Sequence, residues 1–340
     1  MSAYKCTASL PAGVFEATAV ITEDEIVLTG ADGSRYTLLF ADLMDMRLMN
    51  YRLVLAMRDC EAEISKLGYL TEDFFEKLWE AYSAKSEQSL FIEGDLVMRS
   101  EGDYAYAEPD VTRSSIAKLA LHADSLCILP HDAGARRVPL CFADVPVREG
   151  FSLELRLDTG EAYRIARLGG DTDPFFDKLA DAREAVSARW REAHRALEGN
   201  LGECLGEAIA AYETFKELDV DVVSGLFSTD SRAFWIAAIG DGRAAVELIT
   251  DEKAATYLYR FGFARNEFEM KLRHATEAMK TNRRIIYVPQ EDVEANPLYR
   301  MAVERSPHVR TLRSCSAGRV IHSASWASKM ADFFGRASNG

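Results

Sequence analysis

Three arginines near the end of the chain, Arg310, Arg313 and Arg319, come closest to a pattern that could do chemistry. They flank the small-residue stretch SCSAG, read as a turn that could bring three guanidinium groups onto one anion. A planar guanidinium holds a carboxylate or phosphate through two hydrogen bonds, so an acidic ligand or protein surface is the expected occupant. From Pro297 onward seven basic residues stand against two acids, a surplus of five, while the remainder carries about −19. The plainer account of the same charges is a solvated basic face, or one pairing with acids of this chain.

Other reactive residue types lack the spacing their chemistry needs. The six histidines, His122, His131, His194, His274, His308 and His322, form no H-x-H, H-x-x-x-H or H-E-x-x-H pair. Zinc sites usually carry such local pairs, so no metal site is expected. Gly240 and Gly242 lack the third glycine and following helix of a dinucleotide fingerprint, and neither a P-loop nor a G-x-S-x-G elbow occurs. Asp171 and Asp173 read as a helix start, and Asp219 and Asp221 lack the glycine and closing glutamate of a calcium loop. Neither a catalytic residue nor a cofactor site is expected on these grounds. The six cysteines contain no C-x-x-C pair and read as unpaired thiols in a reducing compartment.

Composition narrows the partners. The chain has 340 residues, 48% of them hydrophobic, 28% charged, with a net charge of −14. Two or three domains are expected at this length. The acidic balance argues against nucleic acid and anionic membrane. Membrane-spanning helices need roughly 20 consecutive apolar residues, and no run here approaches that. The stretch MSAYKCTASLPAG lacks the layout of a secretory signal, so a cytoplasmic location is expected.

The elements that would position these residues begin with an internal repeat. Residues 17–82 and 117–182 run in parallel, with Asp24, Ile26 and Leu28 matched by Asp124, Leu126 and Ile128. The tripeptide Phe40-Ala41-Asp42 returns as Phe142-Ala143-Asp144, which assigns Asp42 and Asp144 the same structural task in each copy. RLVLAMRDCEAEISKLG is answered by SLELRLDTGEAYRIARLG, and both copies close on a double phenylalanine, Phe74-Phe75 and Phe175-Phe176. Leu53, Leu55 and Met57, like Leu153, Leu155 and Leu157, alternate with their neighbours, which predicts strands with one buried face. Gly and Asp in TGADGS, DAGA and LDTGE supply hairpin turns. A helix ends each copy, capped by Thr71 in the first and by Asp173 with Pro174 in the second; its apolar stripe plugs the barrel.

Six or seven antiparallel strands followed by one amphipathic helix resemble the pleckstrin-homology-like (PH-like) fold, across roughly residues 5–85 and 90–195. The resemblance implies binding of phosphoinositide headgroups, peptides or proteins, and seldom catalysis. Lipid-binding members carry a basic cluster on an early strand pair. The matching region, ATAVITEDEIVLTGADGSR, is acidic apart from Arg35, which argues against phosphoinositide binding.

The expected architecture is α+β: two antiparallel barrel or sandwich modules each capped by a helix, plus a C-terminal α+β domain. The boundaries fall at 1–88, 89–198 with an extended helix stopping near Gly199, a helical connector over 199–224, and 225–340. In the last region FWIAAIG and RAAVELI read as a hairpin turned at Gly240-Asp241-Gly242, TYLYRFGF and GRVIHSAS as strands, and RRIIYVP as a short buried strand. EFEMKLRHATEAMK, NPLYRMAVER and SWASKMADFF read as helices. The functional expectation is a non-enzymatic binding or scaffolding protein with a protein or peptide partner. The alternative is an enzyme or small-ligand sensor whose site lies in the C-terminal domain.

Overall fold

The computed structural model describes residues 2–92, 94–108, 111–157, 161–204, 216–218, 231–239, 243–250, 254–260 and 283–321, with 325, 328–329 and 332–333. Two compact units emerge: residues 1–183 with 294–305, and residues 184–293 with 306–340. Among the described residues no helix is long and apolar enough to cross a membrane.

The first unit holds two copies of one sheet. In the first copy β1 (Ala3–Leu10), β2 (Gly13–Ile21), β3 (Glu25–Gly30), β4 (Arg35–Leu39), β5 (Leu43–Met49), β6 (Arg52–Met57) and β7 (Glu61–Ser65) lie in the order β4-β3-β2-β1-β7-β6-β5. In the second, β8 (Leu96–Glu108), β9 (Val111–His122), β10 (Ser125–Pro130), β11 (Arg136–Pro139), β12 (Val147–Glu149), β13 (Ser152–Arg156) and β14 (Ala162–Ala166) repeat it as β11-β10-β9-β8-β14-β13-β12. The alternating hydrophobics face the core as expected. Leu53 pairs with Ile64 and Leu153 with Ile165, and all four are buried. A helix follows each sheet, α1 (Thr71–Ser89) and α2 (Thr172–Cys204). Phe74, Leu78, Trp79 and Tyr82 of α1 join the core cluster of the first sheet, and Phe175 and Leu179 of α2 are likewise buried.

Several local expectations are corrected. Thr71 does not cap α1. Its hydroxyl turns back to donate to the Gly68 carbonyl (2.7 Å), and a 3₁₀ turn, Gly68–Leu70, leads into the helix. Thr172 does the same to Gly169 (2.9 Å), so Asp173 and Pro174 already lie inside α2. The helix also runs through Gly199, placed earlier as its stop, to Cys204.

The Phe-Ala-Asp tripeptides are not equivalent. Phe40 N–H donates to Asp24 O (2.9 Å) and Leu140 N–H to Asp124 O (3.0 Å), so Phe40 corresponds to Leu140 and Asp42 to Phe142. Strand register agrees, because Leu43 faces Met57 as Ala143 faces Leu157. The second tripeptide is displaced by two residues, and no shared task exists for Asp42 and Asp144.

The two copies are joined through a sheet edge. Met46 N–H on β5 donates to His131 O (3.0 Å), and Ala133 N–H donates to Met44 O (2.9 Å). The β10–β11 turn thus adds itself to the β5 edge. Helix α1 lies along the same seam: the Trp79 indole donates to Leu129 O (3.2 Å) and the Tyr82 hydroxyl to Asp132 O (3.0 Å).

In the second unit β15 (Lys216–Leu218), β16 (Ser231–Ile239), β17 (Arg243–Thr250), β18 (Ala254–Arg260) and β19 (Ser316–Ile321) form one antiparallel sheet in sequence order. The expected hairpin is β16–β17, and TYLYR and GRVI are strands as read. Lys216–Leu218, read as the end of a helix, is a strand. RRIIYVP is a helix, α3 (Arg283–Tyr287), and not a strand. It is followed by α4 (Gln290–Ala295), α5 (Pro297–Arg305) and α6 (Pro307–Cys315). The stretch EFEMKLRHATEAMK and most of SWASKMADFF lie outside the described residues. Helix α5, the NPLYRMAVER helix, belongs to the first unit.

Candidate functional site

The three C-terminal arginines are placed first. Arg310 and Arg313 lie on α6, Arg319 lies on β19, and SCSAG is the direct passage from helix to strand and not a separate turn. Arg313 is a brace. Its guanidinium donates to the Ile285 and Val288 carbonyls, the latter at 3.1 Å, and to the Gln290 side chain (3.2 Å). Partial burial lowers its pKa from the ordinary guanidinium range. Arg310 and Arg319 are exposed.

The repeat builds a different feature, twice. Between β5 and β6 the chain turns through Asn50 and Tyr51, both with positive φ (51° and 59°). That is the signature of a tight two-residue hairpin turn whose twist matches the strands. In the second copy Gly150 takes φ 62° and Phe151 follows it. Both rings stand in water, Tyr51 74% and Phe151 80% exposed.

The opposite wall is the link from last strand to helix, SKLG in one copy and ARLG in the other. Lys66 (φ 57°) and Arg167 (φ 59°) hold the left-handed conformation, as do Gly68 (φ 62°) and Gly169 (φ 58°). The intervening Leu67 and Leu168 are buried anchors. Between ring and cation lies a cleft of about 580 Å³ in the first copy and about 440 Å³ in the second. Six of the eight lining positions correspond: Tyr51 with Phe151, Arg52 with Ser152, Glu63 with Arg164, Ser65 with Ala166, Lys66 with Arg167 and Gly68 with Gly169. Asn50 and Tyr69 line only the first cleft, and Glu149 and Thr172 only the second.

Their charges are wired differently. In the first cleft Arg52 lies 3.6 Å from Glu63 and Lys66 lies 3.3 Å from Glu16. The Thr7 hydroxyl, with Lys66, holds the Glu16 carboxyl below the ordinary carboxylate range. In the second cleft Arg167 pairs with Asp103 (3.3 Å), while Arg164 donates to the Ser152 hydroxyl (3.3 Å). Among the described residues Arg164 has no carboxylate within 4.0 Å. Glu149 supplies the acid at that rim.

A third arrangement is centred on a buried arginine. Helix α5 docks on α1 and the 3₁₀ turn Phe40–Asp42 of the first copy. Arg300 donates to Asp42 (2.6 Å), Arg58 pairs with Glu304, and the wholly buried Arg305 donates to the Tyr82 hydroxyl (2.8 Å). Only Arg305 is closed to solvent; Arg58, Asp42 and Glu304 keep 36%, 29% and 30% of their side chains exposed, and every member is paired within the fold.

Sequence reasoning missed both clefts, although the repeated SKLG and ARLG and an aromatic at each β-turn were visible. No group of three or more His, Cys, Asp or Glu suited to a metal occurs among the described residues. Of the region expected to house a C-terminal enzyme or sensor site, residues 225–230, 240–242, 251–253 and 261–282 lie outside those described. Compared with known proteins, the chain matches no protein-family model and no curated protein.

Proposed function

We propose that this chain is a non-enzymatic binding or scaffolding protein that recognises a protein or peptide partner through a tandem of PH-like modules. The observation that carries this reading is the duplicated cleft, with a solvent-exposed ring and a cation at equivalent places in both copies. Exposed aromatic side chains of this kind supply much of the binding energy at protein interfaces. The strand order, with a helix packed after the seventh strand, supports the PH-like resemblance of each module. The acidic β2–β3 region, with Arg35 already beside Glu25 (3.6 Å), speaks for a protein partner over a phosphoinositide headgroup.

The test is selection of a displayed random-peptide library against the full chain, repeated against the Tyr51→Ser/Phe151→Ser variant. Both positions are exposed, so the variant should keep the fold. Peptides enriched on the wild type and lost on the variant are expected. Enrichment that survives in the variant would remove the clefts from the functional account.

A further inference from the structure

The two clefts have diverged at several lining positions yet kept a ring, a cation and a glycine. The glycine has a reason in the fold, since Gly68 and Gly169 adopt a left-handed backbone that side chains resist. The ring does not. Tyr51 and Phe151 leave most of their surface in water, and Tyr51 holds a positive φ unusual for a bulky residue. The cation lacks a strong reason too, because Lys66–Glu16 and Arg167–Asp103 are exposed ion pairs of small worth.

We infer that each cleft takes an extended acidic peptide segment: one apolar side chain lies on Tyr51 or Phe151, and a neighbouring carboxylate meets Lys66 or Arg167. The inference rests on reading the chain as a binding protein and names the partner's chemistry. The second cleft is the more demanding of the two. At the place of Glu63 it presents Arg164, whose guanidinium has no carboxylate beside it among the described residues and can take a ligand carboxylate through two hydrogen bonds. The first cleft opposes Arg52 with Glu63, so its acid preference rests on Lys66 alone. A chain of net charge −14 repels polyacids at long range, so any capture of one must come from local sites.

Poly(Glu,Tyr), a random copolymer carrying carboxylates and rings, is the probe, and poly(Glu) is the control without rings. Fluorescence anisotropy on the full chain should show poly(Glu,Tyr) bound at least about tenfold more tightly than poly(Glu), and less tightly as salt rises. Arg164→Glu and Phe151→Ser should each weaken binding severalfold while leaving Tm and the circular dichroism spectrum unchanged. The quadruple variant with Tyr51→Ser and Lys66→Glu should lose it. Failure of the wild type to bind poly(Glu,Tyr), or equal binding by Arg164→Glu, overturns the acidic class. If neutral library peptides then bind the wild type and are lost on Tyr51→Ser/Phe151→Ser, the clefts remain binding sites of another chemistry. Library binding that also ignores those two rings removes the function itself.

Discussion

His122 shows how much one side chain can be asked to do at the junction between the copies. Its Nδ1 faces the Gly94 carbonyl (2.9 Å) and its Nε2 faces a Glu87 carboxylate oxygen (2.8 Å). A carbonyl and an ionised carboxylate only accept, so the two contacts together favour the doubly protonated imidazole. The Glu87 hydrogen bond raises the His122 pKa against the opposing effect of burial. Burial alone would raise Glu87, but the bonds from His122 and Arg99 outweigh it and hold the carboxyl low. A raised histidine pKa gives stability that is fully present below the unfolded value of about 6.5 and lost as pH climbs through the folded value. A lowered Glu87 gives stability present above about 4.3 and lost as pH falls through its folded value. The pair therefore contributes most near pH 5–6.5 (a range of about that width). Urea unfolding of wild type and His122→Gln should differ most there, and the difference should shrink toward pH 9. A constant difference would mean that the ring is neutral. None of this could be read in the sequence, where Glu87 and His122 are 35 residues apart. Phe74 and Phe175 are the opposite case: the doubled phenylalanine marked them, and both are buried three residues into their helices. Truncating either to Ala should lower unfolding free energy by about 3–5 kcal/mol, because the cavity cannot fully collapse. A loss under about 1 kcal/mol in denaturant titration would remove that ring from the core.

Among the elements, α5 is the one whose place is furthest from its position in the chain. Its pattern announces a helix, but nothing in NPLYRMAVER says that it seats on α1 more than 200 residues away. The recognition joins partly exposed ion pairs, Arg300 with Asp42 and Arg58 with Glu304, to one wholly buried arginine. Arg305 gives one nitrogen to Tyr82 and to Leu43 O (3.5 Å), while its Nε and Nη1 are buried without a hydrogen-bond partner. The second copy solves the same problem locally. Arg183, at the position of Tyr82 in the repeat, donates its Nε to Ala143 O (2.9 Å), the counterpart of Leu43 O. In the second copy this carbonyl is met by its own helix through Arg183; in the first, Tyr82 of α1 (3.4 Å) and Arg305 of α5 (3.5 Å) share it. An incompletely bonded buried guanidinium adds little net stability, whereas the volume it fills matters. Arg305→Met should therefore cost less than Arg305→Ala by about 2 kcal/mol or more in chemical denaturation. Equal losses would mean that charge, and not packing, holds α5. The short helix α3 was misread for a related reason. Adjacent Ile285 and Ile286 are both buried, which a short apolar run permits as strand or helix, and the helix end is tied by Arg313 from α6. A tie supplied by a distant residue leaves no local trace.

At the scale of the whole first unit, the repeat raises the question of why there are two copies and not an open series. The β5 edge of the first copy accepts the β10–β11 turn of the second through Met46 N–H and Met44 O. The equivalent edge of the second copy is β12, and the equivalent turn of the first is Ala31–Ser34, which is largely exposed. Left unmodified, edge and turn of two chains could pair head to tail, and a heterologous contact of that kind need not close. The sequence of the second copy prevents it. Pro146 stands at the position of Met46 and has no N–H to donate, and β12 is cut to three residues where β5 has seven. Proline and shortened strands are the usual means of blunting a sheet edge. The duplication itself was legible because periodicity and spacing survive divergence. The stop was not, because a proline in PVREG reads only as a turn until its partner strand is known. Restoring the first copy's residues should reopen the edge. Val145→Asp/Pro146→Met recreates the Asp-Met pair of β5 and should make the weight-average mass in sedimentation equilibrium rise with concentration above that of the wild type. Adding Asp32→Pro to the exposed turn should return the mass to the wild-type value, since proline disturbs the turn that would be captured. A double variant whose mass follows the wild type at every concentration would show that Pro146 does not guard this edge. If the mass rises but persists with Asp32→Pro, the edge pairs with some segment other than the turn.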